Sequence, residues 1–393
     1  MRLLLLHLWL MTSFVSSAQQ KHALVVAIGD YPVLESGKSW KDLSSLNDVV
    51  LLKEMLSEQG FPEGNTNYLL DQDATVENLD NAFETLISNL KKDDIVYFHY
   101  SGHGQQIADV NGKELQRSNN LIKDETDGRD EALVLYNAPY RHYRGYEYEH
   151  HYADDQLNEH ITAIRQAIGK NGQIVVVIDA CHSGSATRGD DEPTVRGTDE
   201  PCVPDDWQAN TSEDDNAEGF GTDFTFGDDP EIGKLVAFFG CKAEQVNREH
   251  RPNPSSEERY GSLTYFFIRA MKNLTANSAT YENLFSEIRR NVVMEFNNAQ
   301  QPVIEGDDLN QLLFSGDFIV QEPYYLLEPD IYATEATLQA GQLQGIMKGD
   351  SIALFNNTIR KIEGETPTVK GVVTSAGPLS SVIRLEHSLP EGK

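Results

Sequence analysis

Gln173-Ile-Val-Val-Val-Ile-Asp-Ala-Cys-His-Ser-Gly184 is a run of β-branched residues that ends abruptly in small residues around a cysteine. An apolar run of this length, bounded by Gly172 and by Ser183-Gly184, reads as a central parallel strand buried on both faces. Cys181 then lies at the carboxyl end of that strand, the edge of an open α/β sheet where ligands bind, and a thiol there is a candidate nucleophile. Asp94-Ile-Val-Tyr-Phe-His-Tyr-Ser-Gly-His-Gly104 has the same shape. If the two strands are neighbours, His103 and Cys181 meet at the rim of one sheet. A thiol of ordinary pKa is mostly protonated near neutrality and needs a base beside it. His103 supplies the base. Gly102 and Gly104 leave room for a substrate backbone and free amide N–H groups for an oxyanion.

Upstream, His22 to Gly29 reads as a first strand and Val49 to Leu56, after Asn47-Asp48, as an amphipathic helix. Asn67 to Leu70 reads as a short strand and Thr75 to Leu90 as a second helix. Alternation of this kind predicts a parallel sheet with helices on both faces. Regularity lapses between Gln105 and Tyr152, apart from Glu131 to Tyr136, which fits a hairpin strand. Tyr140 to Tyr152 is expected to be an exposed aromatic insertion, because His142, His150 and His151 lack the compact spacing of a zinc site. Asp154-Asp155 precede a helix over Gln156 to Ile168. Ser183 to Glu231 holds fifteen Asp/Glu against Arg188 and Arg196 and is expected to be a mobile acidic loop. A strand over Lys234 to Gly240 follows, then helices over Gly261 to Lys272 and Tyr281 to Phe296. Gln301 to Ile304 and Phe314 to Val320 would finish the domain. From about Gln321, short β-like runs such as Ser351 to Phe355 and Gly371 to Thr374 predict a small β-rich module, open to being incomplete.

Arg2, the apolar Leu3 to Leu10 and the small residues up to Ala18 predict a secretory signal peptide over 1–18, too short for a membrane span. The mature chain is therefore expected to be secreted or periplasmic, with no membrane anchor. A length of 393 residues predicts one large domain, 19–320, with 321–393 as an appendage. Three cysteines cannot all pair; Cys181 is the expected free thiol, and Cys202 and Cys241 either pair or stay reduced. A formal charge of −30, from 32 Lys and Arg against 62 Asp and Glu, argues against nucleic-acid binding. It suits cationic partners or divalent metals.

His99-Tyr-Ser-Gly-His-Gly104 and Asp179-Ala-Cys-His-Ser-Gly184 resemble the two signature blocks of the metacaspases and related caspase-like cysteine peptidases. The likeness runs from about Lys21 to Val320 and includes Leu46-Asn47-Asp48, Asp127-Gly-Arg-Asp130, Asp154-Asp155 and Gly261-Ser-Leu-Thr264. It implies a caspase-hemoglobinase-like α/β/α sandwich around a mostly parallel central sheet. It also implies peptide-bond hydrolysis by His103 and Cys181, with an oxyanion hole made of the N–H groups of Gly104 and Cys181. Calcium is implied at Asp130, Asp154 and Asp155, whose hard oxygens suit that ion. Asp127 or Asp190 would complete the shell, while paired aspartates at a helix start also have a plain electrostatic use. No organic cofactor is implied, and a monomer is expected. Leu46 departs from the Gly-Cys pair that many metacaspases carry before Asn-Asp.

On an extended strand Asp179 shares a face with Cys181. Asp48 stands where metacaspases bring a second carboxylate, and Ser101 adds a hydroxyl. Such an acceptor-only pocket binds the planar fork of a substrate arginine better than the point charge of a lysine, and repels aspartate. Structural roles stay open for both, Asp179 as a strand-end acceptor and Asp48 as a helix cap. An aspartate-directed caspase would need a cationic pocket, and His182 follows the cysteine where those enzymes carry arginine. The competing class is a pseudopeptidase that binds peptides or partners, with the β module as adaptor. Retention of both His103 and Cys181 speaks against it, since binding alone needs neither. Arg188 and Arg196, isolated in the acidic loop, are the candidate positions at which the enzyme cuts itself.

Overall fold

The computed structural model describes residues 19–34, 39–108, 114–117, 120–123, 129–181, 194–207, 229–253, 255, 257–274, 279–315, 325, 327–328, 334–338, 340–355 and 365–388. The expected signal peptide, Asp127, Asp190, Arg188 and Phe314 to Val320 beyond Ser315 lie outside them. In chain order the elements are β1 (Lys21–Ala27), α1 (Ser45–Glu58), β2 (Thr66–Leu70), α2 (Val76–Asn89), β3 (Ile95–Ser101) and β4 (His103–Ala108). Then come β5 (Glu114–Arg117), β6 (Asn120–Lys123), β7 (Arg129–Val134), β8 (His151–Ala153), α3 (Asp154–Ile168) and β9 (Gln173–Asp179). After the acidic segment follow β10 (Lys234–Phe239), β11 (Glu249–His250), β12 (Tyr260–Gly261), α4 (Ser262–Asn273), α5 (Tyr281–Glu295) and β13 (Val303–Gly306). The chain closes with β14 (Leu327–Glu328), β15 (Glu335–Leu338), β16 (Ser351–Leu354), β17 (Val369–Ala376) and β18 (Ser381–Leu385).

The main sheet has the order β13-β10-β9-β3-β1-β2, parallel throughout except for the edge strand β13. Every residue of β3 and of β9 is buried, as their near-continuous apolar sequences require. Odd and even side chains feed two cores. Val96, Phe98, Ile174, Val176 and Ile178 face α2 and α3. Tyr97, Val175, Val177 and Phe238 face α1, α4 and α5. Fully burying each such side chain contributes about 1.5–3 kcal/mol, so these two strands anchor the sandwich. Their pairing sets the site: Ser101 lies opposite Asp179, and both strands stop at the same level.

Three expectations need correction. The stretch after Gln105 is more regular than its polar sequence suggests, because β4, β7 and β8 form a second, antiparallel sheet. The aromatic insertion is not wholly exposed either. Tyr146 and His151 are buried, the Tyr146 hydroxyl meets His151 Nδ1 at 2.7 Å, and His151 Nε2 donates to Gln105 Oε1 at 3.0 Å. Finally, part of the acidic loop is built: residues 194–207 run in ordered contact with β4 and the chain around 247–249. Over 325–388, β14-β15-β18-β17-β16 make an antiparallel sheet with its own core of Ala336, Leu338, Val373, Ile383 and Leu385.

Candidate active site

β3 and β9 end in Ser101 and Asp179, and the chain turns at once, through Gly102 to His103 and through Ala180 to Cys181. Gly102 is required by packing, because a Cβ there would lie 2.4 Å from the Tyr100 hydroxyl oxygen. The His103 ring is packed against Trp40 and Tyr31, with ring centroids 4.8 and 5.1 Å away. Its Nε2 sits 2.8 Å from the Lys41 carbonyl, an acceptor only, so this nitrogen carries the proton. Nδ1 is then the basic nitrogen; it is buried and has no hydrogen-bond partner among the described residues. Burial pushes the imidazolium down to about 3, so the ring is neutral and able to accept a proton. Cys181 Sγ accepts the N–H of Asn247 at 3.1 Å.

What fills the site is the chain itself. The N–H groups of Gly104 and Cys181 both donate to the carbonyl of Arg196, at 3.3 and 3.0 Å. This is the pair of donors expected for an oxyanion hole, converging on one peptide oxygen. The Arg196 side chain is fully buried and reaches the base of the pocket. Its Nη2 lies 3.0 Å from Asp48 Oδ2 and 3.2 Å from Glu249 Oε1, and its Nη1 donates to Ser101 Oγ at 2.5 Å. Asp179 Oδ2 is 3.9 Å from Nη1. A buried guanidinium is tolerable only with such compensation, and three carboxylates provide it.

Asp48 is not a helix cap. It lies inside the first turn of α1, fully buried, accepting from Ser101 Oγ at 2.7 Å and from the Gly261 N–H at 2.9 Å. Burial raises its carboxyl to about 7, with Arg196 pulling the other way. Asp179 accepts hydrogen bonds at the strand end while lying beside the Arg196 guanidinium. Beside the arginine it accepts from Asn247 Nδ2 at 2.6 Å and from the Thr264 N–H and hydroxyl at 2.8 and 2.5 Å. Thr264 Oγ1 spends its proton on Asp179, so it receives the Nε2 proton of His99, 3.1 Å away. His99 Nδ1 accepts from Tyr97 at 2.9 Å, and burial holds the ring neutral, with a pKa lowered to about 3.

The structure thus brings together His103, Gly104, Cys181, Asp48, Ser101 and Asp179. Asp130, Asp154 and Asp155 are elsewhere, toward the end of β4 far from His103, where β7 pairs Ala132 with Ala153 of β8. Asp130 and Asp154 are buried there, but no group of three metal-ligating side chains occurs among the described residues. Two site residues escape sequence reasoning, Glu249 and Asn247. The signal that points to them is topological: they follow β10, the parallel neighbour of β9, beyond the same carboxyl edge.

A caspase-domain family model matches residues 20–314. Metacaspase-2 of Arabidopsis thaliana is 27% identical over 345 residues, covering 81% of this chain and 70% of that protein. Metacaspase-3 of the same plant is 31% identical, over 38% of this chain and 37% of its own. Metacaspase-1 of Sclerotinia sclerotiorum is 25% identical, over 65% and 60%. This chain therefore spans from about a third to two-thirds or slightly more of these relatives' lengths. Among solved structures, protein GSU0716 of Geobacter sulfurreducens aligns over 73% of this chain and 93% of its own, with 20% identity and a TM-score of 0.46. With a family model covering most of its length, and with His103 and Cys181 just past the ends of paired central strands, the chain belongs to the caspase-domain family of cysteine endopeptidases.

Proposed function

We propose that this protein cuts peptide bonds on the carboxyl side of arginine, using Cys181 as nucleophile and His103 as base. One observation carries the reading: an arginine of the chain, Arg196, has its side chain among Asp48, Glu249, Asp179 and Ser101 and its carbonyl on two backbone N–H groups. Lysine would reach fewer of these acceptors, because it offers one charge centre and no fork. In the reaction His103 Nδ1 takes the Cys181 proton, and the thiolate attacks the carbonyl carbon. The oxyanion is held by the N–H groups of Gly104 and Cys181. Collapse breaks the C–N bond, the imidazolium returns its proton to the leaving amine, and water hydrolyses the thioester with His103 again as base.

The same seating makes the protein a self-blocked enzyme whose first substrate is the Arg196–Gly197 bond. Of the two arginines proposed for processing, this reading selects Arg196. We further propose export, on the strength of the 1–18 segment, a monomeric enzyme, and calcium stimulation through Asp130, Asp154 and Asp155. Two buried carboxylates on adjoining elements support the calcium reading, and a bound ion would supply charge compensation linking β7 to the start of α3. The test is hydrolysis of aminocoumarin amides of arginine, lysine and aspartate, with and without calcium or chelator. The reading predicts arginine first, lysine weaker and aspartate uncut. Preference for aspartate would refute the pocket, and rates unaffected by chelator, with no heat of calcium binding, would refute the calcium proposal alone.

A further inference from the structure

We propose that the site is selective for glycine immediately after the cut, a specificity set by the backbone of the nucleophile itself. The inference rests on the arginine reading above and extends it to the other side of the bond. The segment from Thr194 is bound as an extended strand. Glu249 N–H donates to the Thr194 carbonyl at 2.8 Å, Arg196 N–H donates to the Asn247 carbonyl at 2.9 Å, and Val195 is bridged antiparallel to Arg248. Past the carbonyl of Arg196 the chain crosses to β4, where Gly197 is bridged parallel to Gly104.

From there its register is pinned. Thr198 Oγ1 meets the Tyr140 hydroxyl at 2.7 Å, and Gln105 Nε2 donates to the Glu200 carbonyl at 2.7 Å. Cys202 N–H donates to the Gln106 carbonyl at 2.8 Å. The first residue after the bond is therefore held against the nucleophile on both sides. A Cβ added to Gly197 would fall 1.8 Å from the Cys181 carbonyl oxygen, 2.7 Å from its carbonyl carbon and 2.8 Å from Sγ. These are mostly backbone atoms, and they cannot withdraw cheaply. The Cys181 N–H is one of the two donors to the scissile carbonyl, and the residue is tied to the end of the central strand β9. A side chain at this position must lift the bond away from those donors. A misplacement of that kind, of the order of 1 Å, costs roughly 100-fold in rate.

The experiment offers the wild-type, full-length protein three internally quenched peptides, Thr-Val-Arg-Gly-Thr and its analogues with Ala or Leu in place of Gly. An arginine aminocoumarin amide, which has no amino acid after the bond, reports the arginine pocket separately. The proposal predicts the Gly peptide cut about 100-fold faster, in kcat/KM, than the Ala peptide, with the Leu peptide slower still. Equal rates for the three peptides would overturn it while leaving the arginine reading standing. It would equally be overturned if the amide were cut and none of the peptides were, since the far side of the bond would then not be open to substrates. An uncut amide would overturn both readings. In the chain itself, Gly197→Ala should slow self-cleavage about 100-fold, while the displaced strand leaves the amide hydrolysed without a lag. Self-cleavage of that variant at the wild-type rate would contradict the proposal.

Discussion

The chemistry at residue scale depends on which groups are charged. His103 is held neutral by burial among Trp40 and Tyr31 with its Nε2 proton on the Lys41 carbonyl, so in the proposed reaction it enters as a base. Asp48 behaves differently: burial raises its carboxyl to about 7, so the pocket loses negative charge as pH falls through that value. The expected consequence is an acid limb in 1/KM for arginine substrates at or above pH 7, because the open pocket lacks the guanidinium that lowers Asp48, with kcat flatter over the same range. His103 titrates far lower and does not shape that limb. In Asp48→Asn the limb should vanish, and its persistence would assign it to another group. Glu249→Gln removes a charge-assisted contact to the guanidinium, of the kind that contributes about 1.5–3 kcal/mol. Roughly 10- to 100-fold in kcat/KM for arginine substrates should follow, chiefly through KM. Unchanged KM would leave Glu249 outside the pocket.

At the scale of elements, the pairing of β3 with β9 carries the design. Both strands, their burial and the neighbourhood of His103 and Cys181 were legible in the sequence, because fully buried strands leave an unbroken β-branched run and the dyad sits at its end. Asp48, Ser101 and Asp179 were legible through resemblance and strand periodicity. Glu249, Asn247 and the course of residues 194–207 were not. Their segments are short, polar and without period, and they are ordered by long-range contacts that no local pattern encodes. The acidic composition around Arg196 even argues for a solvated loop, whereas a complementary pocket and two backbone donors overrule it locally. Arg196→Ala should abolish self-cleavage and remove any lag in turnover of an arginine amide, because nothing then occupies the pocket. Arg188→Ala should change neither, and a lag that survives Arg196→Ala would place the block elsewhere.

For the whole molecule, the β14 to β18 sheet has a core of its own, and its hydrogen bonds run within residues 325–388. A chain truncated before Tyr325 should hydrolyse an arginine amide at the rate of the full chain, and loss of that activity would show the module to be part of the enzyme. The central claim is that this enzyme holds its own arginine as substrate, and it is tested most directly by intact-mass and peptide mapping of the purified wild type beside Cys181→Ala. A single cut between Arg196 and Gly197 in the wild type, absent from Cys181→Ala, is the predicted result; a wild type that turns over arginine substrates while uncut there, or a cut that persists in Cys181→Ala, would contradict the account.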